Sequence, residues 1–492
     1  MLRLVDKVIR TVPVFTTSGL VGFPINVILN WATGTRAGFG RSWASSSTAA
    51  RRTAWSCGPE SSSSSSTRPP RPRTTGTTPR RSRSTPSRPR WSSGNPATAR
   101  PRGATVVAVR KVDRGVAGPG CPVRRNPDGT WQIDGYAAGR AFLRDHHTVQ
   151  AGLGVETTEN FPSRIRRPVL YRDGPEHREH RRQTARFFTP RRVDEAYREV
   201  MERVADEQVA RVRDGAVVDL SDLSFQVAVD VTSAVIGLTE SKPGIKRRLD
   251  YFFPEEFGKP GFTSLHGLYW VWRQLRGWSA IYLDDVRPAV RARRAQPRDD
   301  LITHLLDEGC TAAEILGECL TFAAAGMVTT REFIVMAAWH LFTDDDVRAR
   351  YLAADEPERL LVLHEVLRLE PVIGHLKRRT TRDVRLGSET VPAGAVVRVQ
   401  LDHANLDTDV VGGNPLALCP GRAMADGGSS TGLSFGDGPH KCPGAHVAML
   451  ESDIFLHKLF SVDGLRMVRP PRIAFKDEIA GYELRGMQVA AG

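Results

Sequence analysis

The sequence predicts a mainly α-helical protein with small β-sheets, folded as one large domain over residues 116–492. Three observations carry that reading. Apolar residues recur at helical spacing through most of the chain after Pro175. The run from Thr311 to Phe342 holds no proline and suits a single helix of about 30 residues, roughly 45 Å long. Strand-like pieces are short and few, at Val384–Leu386, Val396–Leu401 and Leu484–Val489.

The chain starts differently. Residues 1–35 form an apolar segment: Val12 to Thr35 carries no charge and follows Arg3, Lys7 and Arg10, but Pro13 and Pro24 interrupt it. It reads as a piece of globular sequence rather than a membrane anchor. Residues 36–104 are Ser, Arg, Thr and Pro in near-random order, including the run from Ser61 to Ser66. They have too little apolar area to offset the entropy of ordering, and disorder is expected there, as a spacer or as sequence read in a shifted frame in preference to a polybasic tail for anionic membrane or nucleic acid. This stretch holds 14 Arg, no Lys and the single acid Glu60, so it carries +13 of the chain's net +14. The rest is left at +1, which does not support a nucleic-acid-binding reading of the fold, because phosphate binding needs a concentrated cationic face. The overall 40% hydrophobic and 25% charged content excludes a fibre, a multi-span membrane protein and a wholly disordered chain. Six widely spaced cysteines without C-x-x-C point to free thiols in a reducing compartment.

From Trp131, WQIDGYAAGRAFLRD reads as a short strand turning into an amphipathic helix, and the stretch from Pro175 to Val212 as helices interrupted at Pro190. Further helices are expected over Ser221–Ile236, Leu268–Arg293 with a break near Pro288, Thr311–Phe342 and Glu356–Leu369. Thr311 and Glu314 form a capping-box pair at the start of the long helix. At its centre, Ala325, Gly326 and their small neighbours let another body approach the backbone, and Thr329 can bond back to a carbonyl one turn earlier. In HEVLRLEP, Glu365 and Arg368 share one helix face among Val362, Leu363, Val366 and Leu367, which predicts a partly buried pair.

The segment Phe435-Gly-Asp-Gly-Pro-His-Lys-Cys-Pro-Gly444 is the most informative. Gly436 and Gly438 permit a tight loop that can approach a flat ligand, and Pro443 suits the first turn of the helix AHVAMLESDIFLHKLF. Cys442 then sits at a helix N-terminus, which lowers a thiol's pKa. With no second Cys or His at chelate spacing, zinc is disfavoured, and a single axial ligand to haem iron is favoured. A nucleophilic cysteine with His440 as base and a buried structural cysteine are the competing readings.

Together these residues resemble the cytochrome P450 family, of the bacterial soluble type, over Val116 to Gly492. The loop matches F-G-x-G-x-H-x-C-x-G at every fixed position, from Phe435 to Gly444. The resemblance implies Cys442 as the thiolate ligand of haem b, with Gly444 closing the loop. It implies Glu365, Arg368 and Arg422, the last in CPGR, as a structural triad that locks the segment presenting the cysteine. His177, Arg181, Arg378 and His440 stand where the family holds the haem propionates. Ala325, Gly326 and Thr329 match the distal-helix pattern, whereas Val328 replaces its acid and cannot carry a proton. Protons would then come through ordered water, a substrate hydroxyl or Glu332. VVGGNPLALCPGR also differs from the usual aromatic-containing meander.

The implied activity is a haem-thiolate monooxygenase that inserts one oxygen atom of O2 into a C–H bond of a small lipophilic substrate. Electrons would come from a ferredoxin and its NAD(P)H reductase, through the face bearing Lys441 and Arg181. A cytoplasmic monomer without specific nucleic-acid or membrane association is expected. Phe187, Phe252, Phe253, Phe262, Leu265, Trp270 and Trp272 are candidates for a lipophilic pocket or, equally, for the core. Two alternatives stand beside this reading: a haem-thiolate enzyme doing dehydration, coupling or peroxide-driven oxidation, and a non-catalytic haem-binding or interaction protein.

Overall fold

The computed structural model describes residues 110–112, 122–152, 155, 166–254, 258, 260–476 and 479–492. The expectations for residues 1–35 and 36–104, and for a domain start at 116, lie outside the described residues. Helices dominate, and the sheets are small.

Two long helices pack across the middle of the fold. Ala312–Thr343 is continuous, and its length and apolarity would suffice to cross a bilayer; most of its apolar stretch is instead buried among other helices. Its start is set by the capping box: Thr311 N–H donates to Glu314 Oε2 at 2.7 Å and Glu314 N–H to Thr311 Oγ1 at 3.3 Å. Beside it, Leu220–Ile236 is buried round most of its circumference, with Asp222, Gln226, Asp230 and Ala234 on the one partly exposed stripe. The two meet at Gly326, where a Cβ would approach Thr232 Oγ1 to 3.0 Å, so the glycine sets the spacing between them. Arg198–Arg213 and Ala445–Phe460 complete this core, with Val204, Val209, Leu223, Ile334, Leu450 and Phe455 fully buried.

A five-stranded sheet lies to one side, in the order Val123–Arg125, Trp131–Ile133, Val396–Gln400, His375–Thr380, Thr148–Gln150. Its pairs are antiparallel except Trp131–Ile133 with Val396–Gln400. Ile133, Val397 and Val399 are buried from solvent and anchor it against the helix Tyr136–Arg144.

Three boundaries differ from the sequence reading. Pro288 does not break its helix: Leu265–Ile281 passes through one wide turn, Tyr282–Val286, into Arg287–Ala295. Pro288 has no N–H for the carbonyl of Asp284, and Lys242 N–H takes that carbonyl instead at 2.9 Å. Leu484–Val489 is two strands, not one. Gly481–Arg485 pairs with Arg472–Lys476, then Gly486 turns at φ +73°, and Gln488–Ala490 joins Val218–Asp219 and Arg466–Arg469. Finally, the helices after Pro190 are broken a second time at Tyr197, between Pro190–Ala196 and Arg198–Arg213.

Because the capping box fixes where the central helix begins, Thr311→Ala is expected to lower unfolding stability by about 1 kcal/mol, measured as a shift of the urea midpoint at unchanged m-value.

Candidate active site

The cysteine loop is held from both ends. Cys442 N–H donates to Phe435 O at 2.8 Å and Gly436 N–H to Leu433 O at 2.7 Å, closing a compact turn. Gly436 and Gly438 both have φ +69°, and a Cβ on Gly438 would run into the Leu143 carbonyl, so that position admits only glycine. Asp437 accepts from Arg140 Nε and Arg144 Nε, each at 3.0 Å, which ties the loop to the helix Tyr136–Arg144. Burial opposes ionisation of Asp437, but Arg144, the Gly438 N–H and Arg140 hold its carboxyl below the usual range.

Cys442 presents accessible surface although protein atoms crowd round it. Burial pushes its thiol up, against the Gly444 N–H and the charges of Arg181 and Lys441, which favour the thiolate. The expected lowering by the helix terminus is therefore outweighed by desolvation in the protein alone. Pro443 also stands outside the helix: Gly444 is the N-cap and Ala445 the first helical residue.

Behind the loop, Glu365 and Arg368 form a buried two-pronged pair, Nε–Oε2 at 2.7 Å and Nη2–Oε1 at 2.8 Å. Glu365 Oε1 also accepts from Arg422 Nε at 3.0 Å and Cys419 N–H at 3.1 Å. The remaining guanidinium donors end on carbonyls: those of Arg368 on Asn405 O and Pro415 O, those of Arg422 on Val411 O, Gly413 O, Asn414 O and Ala417 O. Asn405, which sequence reasoning missed, relays this hub to the loop. Its side chain donates to Arg368 O and Ser434 Oγ and accepts from Leu433 N–H at 2.6 Å.

His177, Arg181, Arg378 and His440 form the third part. The rings of His177 and His440 stack with centroids 3.9 Å apart. His440 bonds Asp173 Oδ1 at 2.9 Å and Gln150 Nε2 at 3.2 Å, and Arg378 donates to Gln150 Oε1. Asp173 and Gln150 were not singled out from the sequence, since nothing local marks them. Arg181 donates to the Lys441 carbonyl, next to Cys442. Arg378 is 5% exposed and makes no ion pair with a carboxylate among the described residues; burial brings its guanidinium down to about 10. Burial, followed by the charges of His440 and Arg181, takes His177 down to about 3, and its Nδ1 is buried without a partner.

On the central helix Ala325 is exposed and Ala324, Gly326, Val328 and Thr329 are half-buried beside it, and Thr329 Oγ1 donates to Ala325 O at 2.5 Å across the wide turn Ala324–Val328. Glu332 is engaged elsewhere: it pairs with Arg331 at 3.0 Å and Arg485 at 2.8 Å and accepts from Leu484 N–H. Its carboxylate is thus held by two arginines and a backbone amide. The bulky residues do not form one pocket. Phe187 is 1% exposed in the core near His304, and Phe252 and Phe253 pack by Trp278, while Leu265 and Trp272 are 87% and 51% exposed.

A family model for cytochrome P450 matches residues 361–470, and one for phosphatidylserine decarboxylase matches residues 1–41. The cyclomarin C epoxidase of Salinispora arenicola is 30% identical over 300 residues, covering 58% of this chain and 71% of that protein. This chain belongs to the cytochrome P450 family. The vitamin D(3) 25-hydroxylase of Pseudonocardia autotrophica is 28% identical over 363 residues, 69% of this chain and 83% of the relative. A Bacillus megaterium P450 solved with corticosterone shares the fold at TM-score 0.62 and 21% identity, covering 75% of this chain and 94% of that one. This P450 is thus a monooxygenase of bacterial type that works with haem, O2 and donated electrons, and the non-catalytic alternative falls away.

The residues present fit haem. A buried guanidinium without a carboxylate, an unpartnered buried imidazole nitrogen and a stacked neighbour form a donor set for two propionates, beside a cysteine with open surface.

Two outcomes test this construction. Arg368→Ala leaves Glu365 buried with half its compensation and is expected to cost about 3–5 kcal/mol in urea unfolding, with Arg368→Lys failing to restore the two-pronged pair. His180 is 3% exposed with neither nitrogen hydrogen-bonded, and burial, then Arg172, brings it down to about 4 from 6.5. It is neutral when folded and must charge in acid, so stability present above pH 6.5 is lost as pH falls toward 4. His180→Leu is expected to reduce the drop in melting temperature between pH 7 and pH 5, read by circular dichroism.

Proposed function

We propose that this P450 inserts oxygen into a C–H bond of a small lipophilic molecule, with Cys442 as the axial thiolate and His177, Arg181, Arg378 and His440 holding the haem propionates. The observation that carries the assignment is Arg378, a buried guanidinium without a carboxylate, joined through Gln150 to His440 and so to the cysteine loop. When bound, haem activates O2 with two donated electrons and delivers one atom to the substrate.

The chain's own residues do the rest. Gly436 and Gly438 bring the backbone of the loop close; Glu365, Arg368 and Arg422 fix its height; and Ala325 and Gly326 leave room along the central helix. Thr329 holds its hydroxyl proton on Ala325 O and is the hydroxyl that would donate or pass a proton on this side of the site. Since Val328 carries no proton and Glu332 is engaged in ion pairs, the proton source is ordered water or a hydroxyl of the substrate. The same two residues favour a second reading, in which the site runs dehydration, coupling or peroxide-driven oxidation that needs no relay from the protein.

A ferredoxin-type donor suits the face bearing Lys441 and Arg181, where cations would steer an acidic partner. We place this P450 in the cytoplasm as a monomer, without specific nucleic-acid binding, by analogy with the soluble bacterial relatives. Small lipophilic substrates are likewise taken from the vitamin D(3) 25-hydroxylase and erythromycin C-12 hydroxylase relatives.

The deciding experiment is the absorption spectrum of the purified, haem-loaded protein reduced with dithionite under carbon monoxide. A strongly red-shifted Soret band that is lost in Cys442→Ser supports thiolate ligation. A band typical of histidine ligation, or one unchanged by the substitution, overturns the assignment.

A further inference from the structure

The helix Gly174–Thr184 carries His177 and Arg181, two of the side chains assigned to the haem propionates, yet it has almost nothing apolar with which to pack. Its sequence, GPEHREHRRQT, holds no Ala, Val, Leu, Ile, Met or Phe. The three side chains it buries are His177, His180 and Thr184, and Thr184 Oγ1 turns back to His180 O at 2.9 Å. The helix is therefore seated on two imidazole rings, which serve as packing surface only while they are neutral.

His177 belongs to the site already described, whereas His180 faces a separate wedge. His180 Nδ1 stands 3.7 Å from Glu308 Oε2, and its ring centroid lies 6.4 Å from that of His304, whose Nε2 stands 3.4 Å from Glu308 Oε1. None of these contacts is a hydrogen bond: both nitrogens of His180 and Nε2 of His304 are buried without a partner among the described residues. Phe187 closes the wedge against the His304 ring at 6.0 Å between centroids.

The other charges around His180 are already engaged. From the segment before the helix, Arg166 approaches Glu308 to 3.9 Å, and Arg172 pairs with Glu318 at 3.0 Å and Glu176 at 3.4 Å. From the central helix, Glu314 accepts from Arg166 N–H and Thr311 N–H, and Glu318 from Val169 N–H. The Cys310 thiol meets Arg166 at 3.6 Å and is pushed up by burial, so it adds no charge. A proton arriving on His180 thus faces Arg172, His304, Arg181 and Arg166, with only the shared Glu308 to offset it.

We propose that His180 is a positioning residue whose neutral imidazole seats the helix Gly174–Thr184 and whose protonation unseats it, so that haem held by His177 and Arg181 is released as the surroundings turn acid. This rests on the assignment of those two residues to the propionates. Burial, then Arg172, holds His180 at about 4 against its ordinary 6.5, so the seating is complete above pH 6.5 and is lost as pH falls toward 4. Glu318, pushed up to about 7 by burial against the pull of Arg172, works in the opposite sense, favouring the folded state as pH falls from 7. The contrast between wild type and variant, rather than the raw pH profile, therefore reports the histidine.

The test uses the full, haem-loaded chain with two readouts at pH 7.5 and pH 5. One is hydrogen exchange of the peptide covering residues 174–184, corrected for the intrinsic pH dependence of exchange; the other is the rate of haem transfer to excess apomyoglobin. Opening of the helix in the wild type is expected to rise by roughly thirtyfold between the two pH values, and haem transfer with it. His180→Leu is expected to remove most of that rise, with the carbon monoxide spectrum at pH 7.5 unchanged. An equal rise in wild type and variant overturns the proposal, as does helix exchange that does not change with pH. Opening that depends on His180 without faster haem transfer also overturns it, while leaving Cys442 ligation standing. A carbon monoxide band without the thiolate shift fails the haem assignment instead, and the exchange readout still decides whether His180 seats the helix. Should His180→Leu misfold, exchange of the carbon-bound hydrogen at Cε1 of His180 in the wild type decides: titration well below pH 6.5 supports the proposal, and titration at or above it sinks it.

Discussion

One oxygen atom, Glu365 Oε1, accepts from Arg368, Arg422 and the Cys419 amide at 2.8, 3.0 and 3.1 Å. A carboxylate buried this deeply is costly unless its lone pairs are filled, and two guanidinia deliver more donors than one carboxylate can use. The surplus goes to carbonyls of the segment 405–417, which has little regular structure of its own. That segment is thus ordered from the centre outward. Asn405 passes the constraint to Leu433 and Ser434, and Ser434 Oγ returns it to Leu367 O at 2.9 Å. The cysteine loop begins at the next residue. The position of Cys442 is therefore set by a closed circuit of hydrogen bonds from the helix Glu356–Leu369, and the ion pair acts through position rather than chemistry.

A second constraint comes from the central helix. Its wide turn at Ala324–Val328 puts one extra residue into the turn, where Ala325 is exposed and only Met327 is fully buried. Thr329 stabilises that turn by returning its hydroxyl to Ala325 O. Gly326, one residue on, packs against Thr232 and keeps the helix close to Leu220–Ile236. One short sequence thus presents an open side at Ala325 and a packed side at Gly326, for which the consecutive small residues Ala323 to Gly326 leave room on both.

Much of this was legible in the sequence where the cause is local. Thr311 and Glu314 cap each other three residues apart, Glu365 and Arg368 share a helix face, and Gly436 and Gly438 take up the positive φ that their loop requires. What was illegible depends on distant partners. Pro288 stays in a helix because an amide 46 positions earlier takes the carbonyl it leaves free. Asn405, Asp173 and Gln150 are ordinary polar residues until the fold sets them beside Leu433, His440 and Arg378. Glu332 reads as an available acid one turn from Thr329 until Arg485 is found against it. Bulk alone allowed pocket or core for both Phe187, which faces the core, and Leu265, which faces out.

The electrostatics of the site point one way. Burial raises the Cys442 thiol, against nearby cations, and lowers the Arg378 guanidinium, while His177 is driven to its neutral form. In each case the charged form is disfavoured by desolvation that nothing among the described residues fully compensates, although the Asp173 carboxylate acts on Arg378, His440 and His177. A group with a cationic centre for sulfur and two carboxylates for the guanidinia and imidazoles supplies both missing counter-charges at once. Affinity for such a group therefore draws on desolvation already incurred in folding the chain. Because that group binds the folded chain in preference to the unfolded one, occupancy and stability rise together. The triad, by fixing the cysteine loop before the group arrives, keeps the ordering cost out of the binding step.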